Sequence, residues 1–468
     1  MKALIFDIGS TFTKGVAYDL DKGEIIGKAK YPSTVNEDVN IGLSKVIDEI
    51  KAQTGYDIRD FEIKRATSSA AGGLKIVAIG LVPDLTAEAA KKAALSAGGK
   101  VLKVYSYELT KTDLEEISSL KPDIIILSGG TDGGNRYYPL INAKKLSTLP
   151  LNIPFIYAGN KDLRDEIEKI FKESNKEIYI TENVMPEYGV INIDKVQELI
   201  REIFLRNIIH AKGLDKVKEI IEGIVMPTPL AVLKSLEVFA DIYGESLLVD
   251  VGGATTDVCS VAEGAPTQAG VVWKGLKDPR VKRSVEGDLG VRVSALSLLE
   301  VVDEKELKRF LDTSRINPKE KAYFLTKNTG FIPKDNEDLY FDAVLAYFAV
   351  KISVERHVGH IEVVYTPMGT LYFQYGKDLR EVKNLLFTGG PLIYNPHKKM
   401  IIKGAVYSKD EPFVLKPVSP EIFIDKEYIL FSIGVISEID KEKAKELIYR
   451  YVEKMGDYYG FEEQKMGS

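Results

Sequence analysis

Two short acidic-glycine segments, Asp7-Ile8-Gly9-Ser10-Thr11 and Asp250-Val251-Gly252-Gly253-Ala254-Thr255-Thr256-Asp257, stand in separate halves of the chain and repeat one pattern. Each follows a short apolar run, Ala3–Phe6 in the first case and Ser246–Val249 in the second. An aspartate closes the strand, glycines make the turn, and hydroxyl residues follow. Small side chains let backbone N–H groups approach a phosphate, and Ser/Thr hydroxyls add donors. An aspartate cannot neutralise phosphate, so its place there is to hold Mg²⁺ or its water shell. Two such turns facing each other would clamp a nucleoside triphosphate. The residues named by this reading are Gly9, Ser10, Thr11, Thr13 and Lys14 in the first half and Gly252, Gly253, Ala254, Thr255 and Thr256 in the second. Asp7 and Asp250 carry the metal water. Lys14 has two readings, a phosphate partner or a solvated strand-face lysine.

The pattern between the turns predicts an α/β chain. Apolar alternation places strands near 2–8, 14–19 and 24–31, and a helix at about 38–54. Strand and helix then alternate through Lys75–Leu81, Ala87–Ala97, Val101–Tyr107, Lys111–Leu120, Asp123–Leu127, Phe155–Ala158, Asp162–Ser174 and Lys176–Thr181. Such alternation calls for crossover units around a largely parallel sheet. A helix is expected over 194–222, a rigid break at Met226-Pro227-Thr228-Pro229, and a second hairpin unit from Leu247 that mirrors the N-terminus. The expected domains are therefore 1–228 and 229–468. The segment 441–454 reads as an amphipathic helix, with 456–468 frayed.

Two further glycine turns follow apolar strands. Thr388-Gly389-Gly390-Pro391 falls where a duplicated nucleotide-binding fold would place its adenosine turn, which makes Gly389, Gly390 and Pro391 cofactor-binding candidates. Ser128-Gly129-Gly130-Thr131-Asp132-Gly133-Gly134-Asn135 is the odd one out, a βα turn or a ligand loop. Glu286 and Asp288 are the remaining catalytic candidates, placed to orient water or hold a metal's hydration shell. Their alternative reading is a helix N-terminus with favourable dipole charges.

Composition narrows the classes. With 468 residues the chain exceeds the size of a usual single core, so two or more domains are expected. A net charge of -6 argues against a nucleic-acid partner, and no apolar run reaches the roughly 20 residues of a bilayer span. One cysteine, Cys259, excludes an internal disulfide framework and fits a cytoplasmic protein. The four histidines make no zinc spacing with it, so no metal cluster is expected.

The two phosphate turns and the adenosine turn resemble those of the actin, sugar-kinase and heat-shock-chaperone ATPase superfamily. That implies a duplicated ribonuclease-H-like (actin-like ATPase) fold, with two lobes around a nucleotide cleft. More narrowly, the chain resembles the glutamate-mutase-associated MutL family. The resemblance runs through Asp7–Lys14, Ser68–Leu74, Ser128–Asn135, Ala158–Lys161, Glu182–Pro186, Met226–Pro229, Asp250–Asp257, Lys282–Arg292, Gly376–Leu379 and Thr388–Pro391. It implies an ATP- and Mg²⁺-dependent chaperone or reactivating factor for an adenosylcobalamin-dependent aminomutase of the glutamate mutase or ornithine aminomutase type. Slow ATP hydrolysis is implied, with cobalamin entering only through the partner. A homo-oligomer is compatible with the resemblance. A small-molecule kinase, with Asp132 or Glu286 as base, and a nucleotide-dependent assembly protein are the alternatives.

Overall fold

The computed structural model describes residues 1–9, 12–34, 37–68, 74–97, 99–209, 221, 224–312 and 314–458. Ser10, Thr11, residues 69–73 and the tail from 459 therefore lie outside the described residues, as does the expected helix beyond Ile209. Two compact units are formed. One is Met1–Lys234 with Phe431–Ala444, and the other is Ser235–Leu430 with the described part of Lys445–Ser468.

The first unit opens with β1 (Lys2–Ile8), β2 (Phe12–Asp19) and β3 (Glu24–Pro32), followed by β4 (Ile63–Ser68). β1 is apolar and buried along nearly its whole length, as a central strand covered on both faces must be. β2 and β3 run antiparallel to their neighbours, while β4 lies parallel to β1. The helix Val39–Thr54 covers this sheet. Asp38 caps it by accepting from the Asn40 N–H, and Gly55, with φ of 74°, ends it in the left-handed conformation. Its buried stripe, Leu43, Val46 and Ile50, lies over Gly15 of β2, where an added Cβ would come within 2.5 Å of Val46. A larger residue at 15 would clash with the Val46 and Ile50 side chains and force them to repack.

Between β4 and the strand that returns to this sheet lies a second sheet, built from β5 (Lys75–Gly80), β6 (Lys100–Ser106), β7 (Ile124–Leu127), β8 (Phe155–Tyr157) and β9 (Ile178–Ile180). All its pairings are parallel, in the order β6-β5-β7-β8-β9. Val77, Ile79, Ile125, Leu127, Phe155 and Tyr157 share one core with Ile117, Leu146, Ile167 and Phe171 from the helices Lys111–Leu120, Tyr137–Ser147 and Arg164–Glu173. The helices Glu88–Ser96 and Asp194–Ile209 pack against each other outside that core. The chain then re-enters the first sheet as β10 (Ile224–Pro227), parallel to β4.

In the second unit β11 (Ser246–Val251) and β12 (Thr256–Val261) form the mirrored hairpin. β13 (Val271–Trp273), β14 (Val281–Glu286), β15 (His360–Thr366), β16 (Gly369–Tyr375), β17 (Asn384–Thr388), β18 (Glu421–Asp425) and β19 (Val452–Asp457) complete it. The main sheet runs β14-β12-β11-β17-β18-β19, and β13, β16 and β15 make a small separate sheet. Val249, Val251, Leu385, Phe387, Ile422 and Ile424 pack against Ala343, Val350 and Val354 of the long helix Asn336–His357. Truncating a buried aromatic such as Phe387 to alanine costs about 3–5 kcal/mol in such a core.

Both main sheets follow one plan: a first strand flanked by an antiparallel pair on one side and two parallel strands on the other. This is the ribonuclease-H-like order, used twice in an α/β chain, the architecture of actin-like ATPases. One expectation is corrected at the C-terminus. The helix Lys441–Tyr451 stops short of 454, and Val452–Asp457 is not frayed at Gly456 but pairs antiparallel with β18 as the sheet's edge. Among the described residues no helix is long and apolar enough to cross a membrane.

Candidate functional site

Asp7 sits near the carboxyl end of β1 and is only 3% exposed. Three neighbours converge on it. The Thr228 hydroxyl donates to Oδ1 at 2.6 Å, Thr67 donates to the same oxygen at 3.3 Å, and Lys14 Nζ lies 3.4 Å from Oδ2. Thr67 is the register partner of Asp7 on β4, and Lys14 its partner on β2. Thr228 follows β10 directly and opens the helix Thr228–Tyr243. The carboxyl ends of β1, β4 and β10 thus deliver one carboxylate and two hydroxyls, where open α/β sheets place their ligands. The turn is closed by the Gly9 N–H donating to the Phe12 carbonyl at 3.0 Å, and Ser33 donates to the Gly9 carbonyl at 2.7 Å. Thr13 points the other way. It is fully buried on the helix side, where a Cβ on Gly42 would come within 3.1 Å of its hydroxyl.

Thr67 and Thr228 were absent from the candidates drawn from sequence. In the sequence Met226-Pro227-Thr228-Pro229 reads as a rigid break and as a segment of the family resemblance, with no site role for Thr228. A hydroxyl beside proline at a strand end, opposite an acidic turn, was the available signal.

The second hairpin repeats the frame. Asp250 pairs in register with Asp257 on β12 and Thr388 on β17, as Asp7 pairs with Lys14 and Thr67. The Gly252 N–H donates to the Thr255 carbonyl at 2.9 Å, closing the turn as Gly9 does. Asp257 accepts from the buried Arg283 through Nε at 3.1 Å and Nη2 at 2.5 Å, and from Thr255 at 3.2 Å. A strap, residues 287–294, holds this turn from outside. The amides of Val291 and Arg292 donate to the carbonyls of Gly252 and Gly253 at 3.1 and 2.8 Å. The Ser294 hydroxyl reaches the Ala254 carbonyl at 2.7 Å. Gly290 is required, because a Cβ there would lie 2.4 Å from the Ala254 carbonyl carbon. Thr256 is fully buried and donates its hydroxyl to Leu289 O, so it supports the strap.

Glu286 ends β14 and Asp288 lies in the turn after it, so neither begins a helix. Both are gripped by Arg356, which donates to Glu286 at 2.7 Å and to Asp288 at 2.9 and 3.0 Å. The hydrogen bond to Asp288, then that to Glu286, raise the guanidinium's affinity for its proton. Next to it His357, fully buried, bonds Ser284 and Ser260 through its two ring nitrogens. Burial holds its pKa well below the ordinary value.

At the third turn, Gly389 has φ of 102°, and a Cβ there would stand 2.4 Å from the Val251 carbonyl oxygen. Its lack of a side chain is therefore demanded by the neighbouring turn. Gly390 has open space in front of its Cβ position, and Pro391 occupies the first turn of the short helix that follows. Thr388 donates to Asp425 at 3.2 Å.

The donor set suits Mg²⁺ held through water and phosphate, which needs only one or two carboxylates. It does not suit a dedicated protein cage: among the described residues no group of three His, Cys, Asp or Glu could hold a metal. Cys259 is buried, and burial pushes its thiol up, which makes it inert.

Comparison with known proteins agrees with the sequence resemblance. The family model described as MutL protein matches residues 3–452. Protein MutL of Clostridium tetanomorphum is 43% identical over 458 residues, covering 97% of this chain and 99% of its own. Among solved structures, nucleotide-free acetone carboxylase is 11% identical with a TM-score of 0.37, covering 93% of this chain and 70% of its own. Component A of the Acidaminococcus fermentans (R)-2-hydroxyglutaryl-CoA dehydratase is 11% identical with a TM-score of 0.32, covering 95% and 99%. These structural likenesses are loose and transfer no residue.

Proposed function

The chain belongs to the MutL protein family, and on that premise we propose that it is an ATP-binding accessory factor that hydrolyses ATP slowly and services an adenosylcobalamin-dependent aminomutase. Its partner is of the glutamate mutase or ornithine aminomutase type, and cobalamin belongs to that partner. The observation that carries the nucleotide reading is the pair of turns, each closed by a glycine amide and each with an aspartate in register with a threonine. A tight connection does not require that much repetition.

In this reading Asp7 and Asp250, each in its own turn, hold the water shell of Mg²⁺, which supplies charge neutralisation at the phosphates. With the Gly9 and Gly252 amides closing the turns, phosphate oxygens are received by Ser10 and Thr11 in the first turn and by the amides of Gly253, Ala254 and Thr255 in the second. Lys14 adds a cation beside Asp7. Thr67 and Thr228 fix the Asp7 carboxylate so that one oxygen is committed to hydroxyls and the other faces Lys14. Gly389, Gly390 and Pro391 take the adenosine. Glu286 and Asp288 act on the attacking water, with Arg356 setting where they point.

A chaperone cycle then needs only that the partner prefer one nucleotide state, since binding shifts a conformational equilibrium by its differential affinity. Calorimetric titration of MgATP into the full chain tests the site, and Asp7→Ala and Asp250→Ala are each expected to abolish or strongly weaken it. Unchanged affinity in both variants would refute the assignment. Affinity capture from the native cell, with and without ATP, tests the partner. Recovery of a cobalamin enzyme is the expected result, and its repeated absence would remove the mutase from the reading.

A further inference from the structure

The glycine-rich loop Ser128–Asn135 takes no part in the nucleotide site above, and its surroundings give it a role of its own. It leaves β7 at the carboxyl edge of the inserted parallel sheet, whose order β6-β5-β7-β8-β9 reverses direction between β5 and β7. In open parallel sheets ligands bind outside the carboxyl ends of the strands at such a reversal.

The polarity of the loop is set by two buried asparagines from the neighbouring strand ends. Asn160, fully buried after β8, donates its backbone N–H to the Gly129 carbonyl at 3.3 Å and its side-chain amide to the carbonyls of Gly134 and Asn135 at 3.3 and 3.4 Å. Asn183, after β9, donates to the Gly130 carbonyl at 3.1 Å. A trans peptide aims its carbonyl and the following N–H in opposite directions, and among the described residues there is no cis peptide. With the carbonyls of Gly129, Gly130, Gly134 and Asn135 drawn inward, the amides of Gly130, Thr131, Asn135 and Arg136 point away from the asparagines. Among the described residues none of these four amides has a hydrogen-bond partner. Gly130 is buried, and more than nine in ten buried N–H groups are satisfied. Gly130, with φ of 72°, approaches Asn135 so closely that a Cβ would lie 2.7 Å from its carbonyl oxygen, bringing the two ends of the loop together. The charge at the rim agrees. Arg136 is exposed, whereas Asp132 is turned inward, its Oδ1 accepting from Asn183 at 3.0 Å and from the Lys161 amide at 3.0 Å.

We propose that the inserted sheet is a second ligand-binding module, seating the phosphate of a phosphate-bearing small molecule on the amides of Gly130, Thr131, Asn135 and Arg136. Consecutive inward-facing carbonyls with outward-facing amides make a concave nest of positive partial charge. Arg136 supplies the full charge at its edge.

The test is amide NMR on the full chain labelled with ¹⁵N-glycine, titrated with inorganic phosphate and separately with adenosine monophosphate, and with sodium chloride as the ionic-strength control. Glycine signals are assigned by single glycine-to-alanine changes. The Gly130 amide is expected to move downfield and saturate with phosphate, to do so still in the Asp7→Ala/Asp250→Ala double variant, and to need about tenfold more phosphate in Arg136→Gln. Tighter binding of the monophosphate identifies an organic phosphate, and equal binding identifies the free ion. A silent Gly130, or one that follows chloride equally, overturns the proposal. Should Gly9 and Gly252 respond to MgATP while Gly130 stays silent, this module alone is lost. The reverse outcome loses the nucleotide site and leaves this module standing.

Discussion

The hairpin turns of the two units share a backbone and differ in what surrounds it. In both, a glycine amide closes the turn and an aspartate lies in register with a threonine of the parallel neighbour. Across the hairpin, however, Asp7 faces Lys14 where Asp250 faces Asp257. The first turn keeps its cation beside the acid, with hydroxyls from β4 and β10 on the remaining oxygen. The second has placed its cation, Arg283, behind a second acid and has tied its carbonyls to a strap. The frame thus specifies where charges go, and the residues decide whether a charge meets a ligand or holds the fold.

That contrast can be broken most sharply at the paired register positions. Asp257→Ala removes the two charge-assisted hydrogen bonds that the buried Arg283 makes to this carboxylate, and urea unfolding is expected to show a loss of about 1.5–3 kcal/mol in the second unit. Lys14→Ala, at the corresponding place, should barely change stability and instead weaken MgATP binding. If both changes cost stability alone, the two turns are equally structural. Asp7→Asn keeps an oxygen for Thr228 and Thr67 but removes the charge. It is expected to lower ATP turnover about a hundredfold, measured as phosphate release, with the melting curve nearly unchanged.

A pH series separates the units in another way. Lys377, fully buried in the second unit, donates to the carbonyls of Ala262 and Arg280 at 2.7 Å each, and burial lowers its pKa from 10.5 to about 7. Below pH 7 the lysine is protonated whether the chain is folded or not, so its charge burdens the fold without a pH slope. Between about 7 and 10.5 the unfolded chain holds the proton and the folded one has lost it, so stability rises with pH. His357 acts in the same direction below 6.5, since only the unfolded chain takes up its proton there. The stability of the native chain relative to Lys377→Met should therefore increase by about 2 kcal/mol from pH 7 to 9. A flat difference would show the amine charged throughout.

Smaller effects refine the comparison. Thr228→Val removes the 2.6 Å hydrogen bond to Asp7, and a roughly tenfold drop in turnover is expected. Arg356→Gln releases Glu286 and Asp288. Because the arginine is about a third exposed, stability should fall by less than about 1 kcal/mol. Its useful readout is the pH profile of turnover, which shifts only if those acids act on the reaction.

The strands and both turns were legible because alternation and glycine punctuation are local. β1, β2 and β3 fall within about two residues of their expected places. What stayed hidden depended on chain segments meeting across long separations. Thr67 and Thr228 matter only because β4 pairs with β1 and β10 with β4, and Arg356 only because a long helix ends beside β14. The edge strand Val452–Asp457 followed a helical pattern without a break, and pairing with β18 overrode it. Glycine carried mixed meaning: a Cβ at Gly389 would meet the Val251 carbonyl oxygen and one at Gly130 the Asn135 carbonyl oxygen, whereas Gly390 faces open space.

The chain quits its first sheet at Ser68 and rejoins it through β10, with Pro227 directly opposite Ser68. Everything from β5 to β9 is thus a detour strung along one connection between adjacent strands. Such a connection needs only a dozen or so residues when it carries nothing else. In the order of the chain the detour is therefore one insertion, and in space it is also clasped by the helix Asp194–Ile209, which packs on both Glu88–Ser96 and β10.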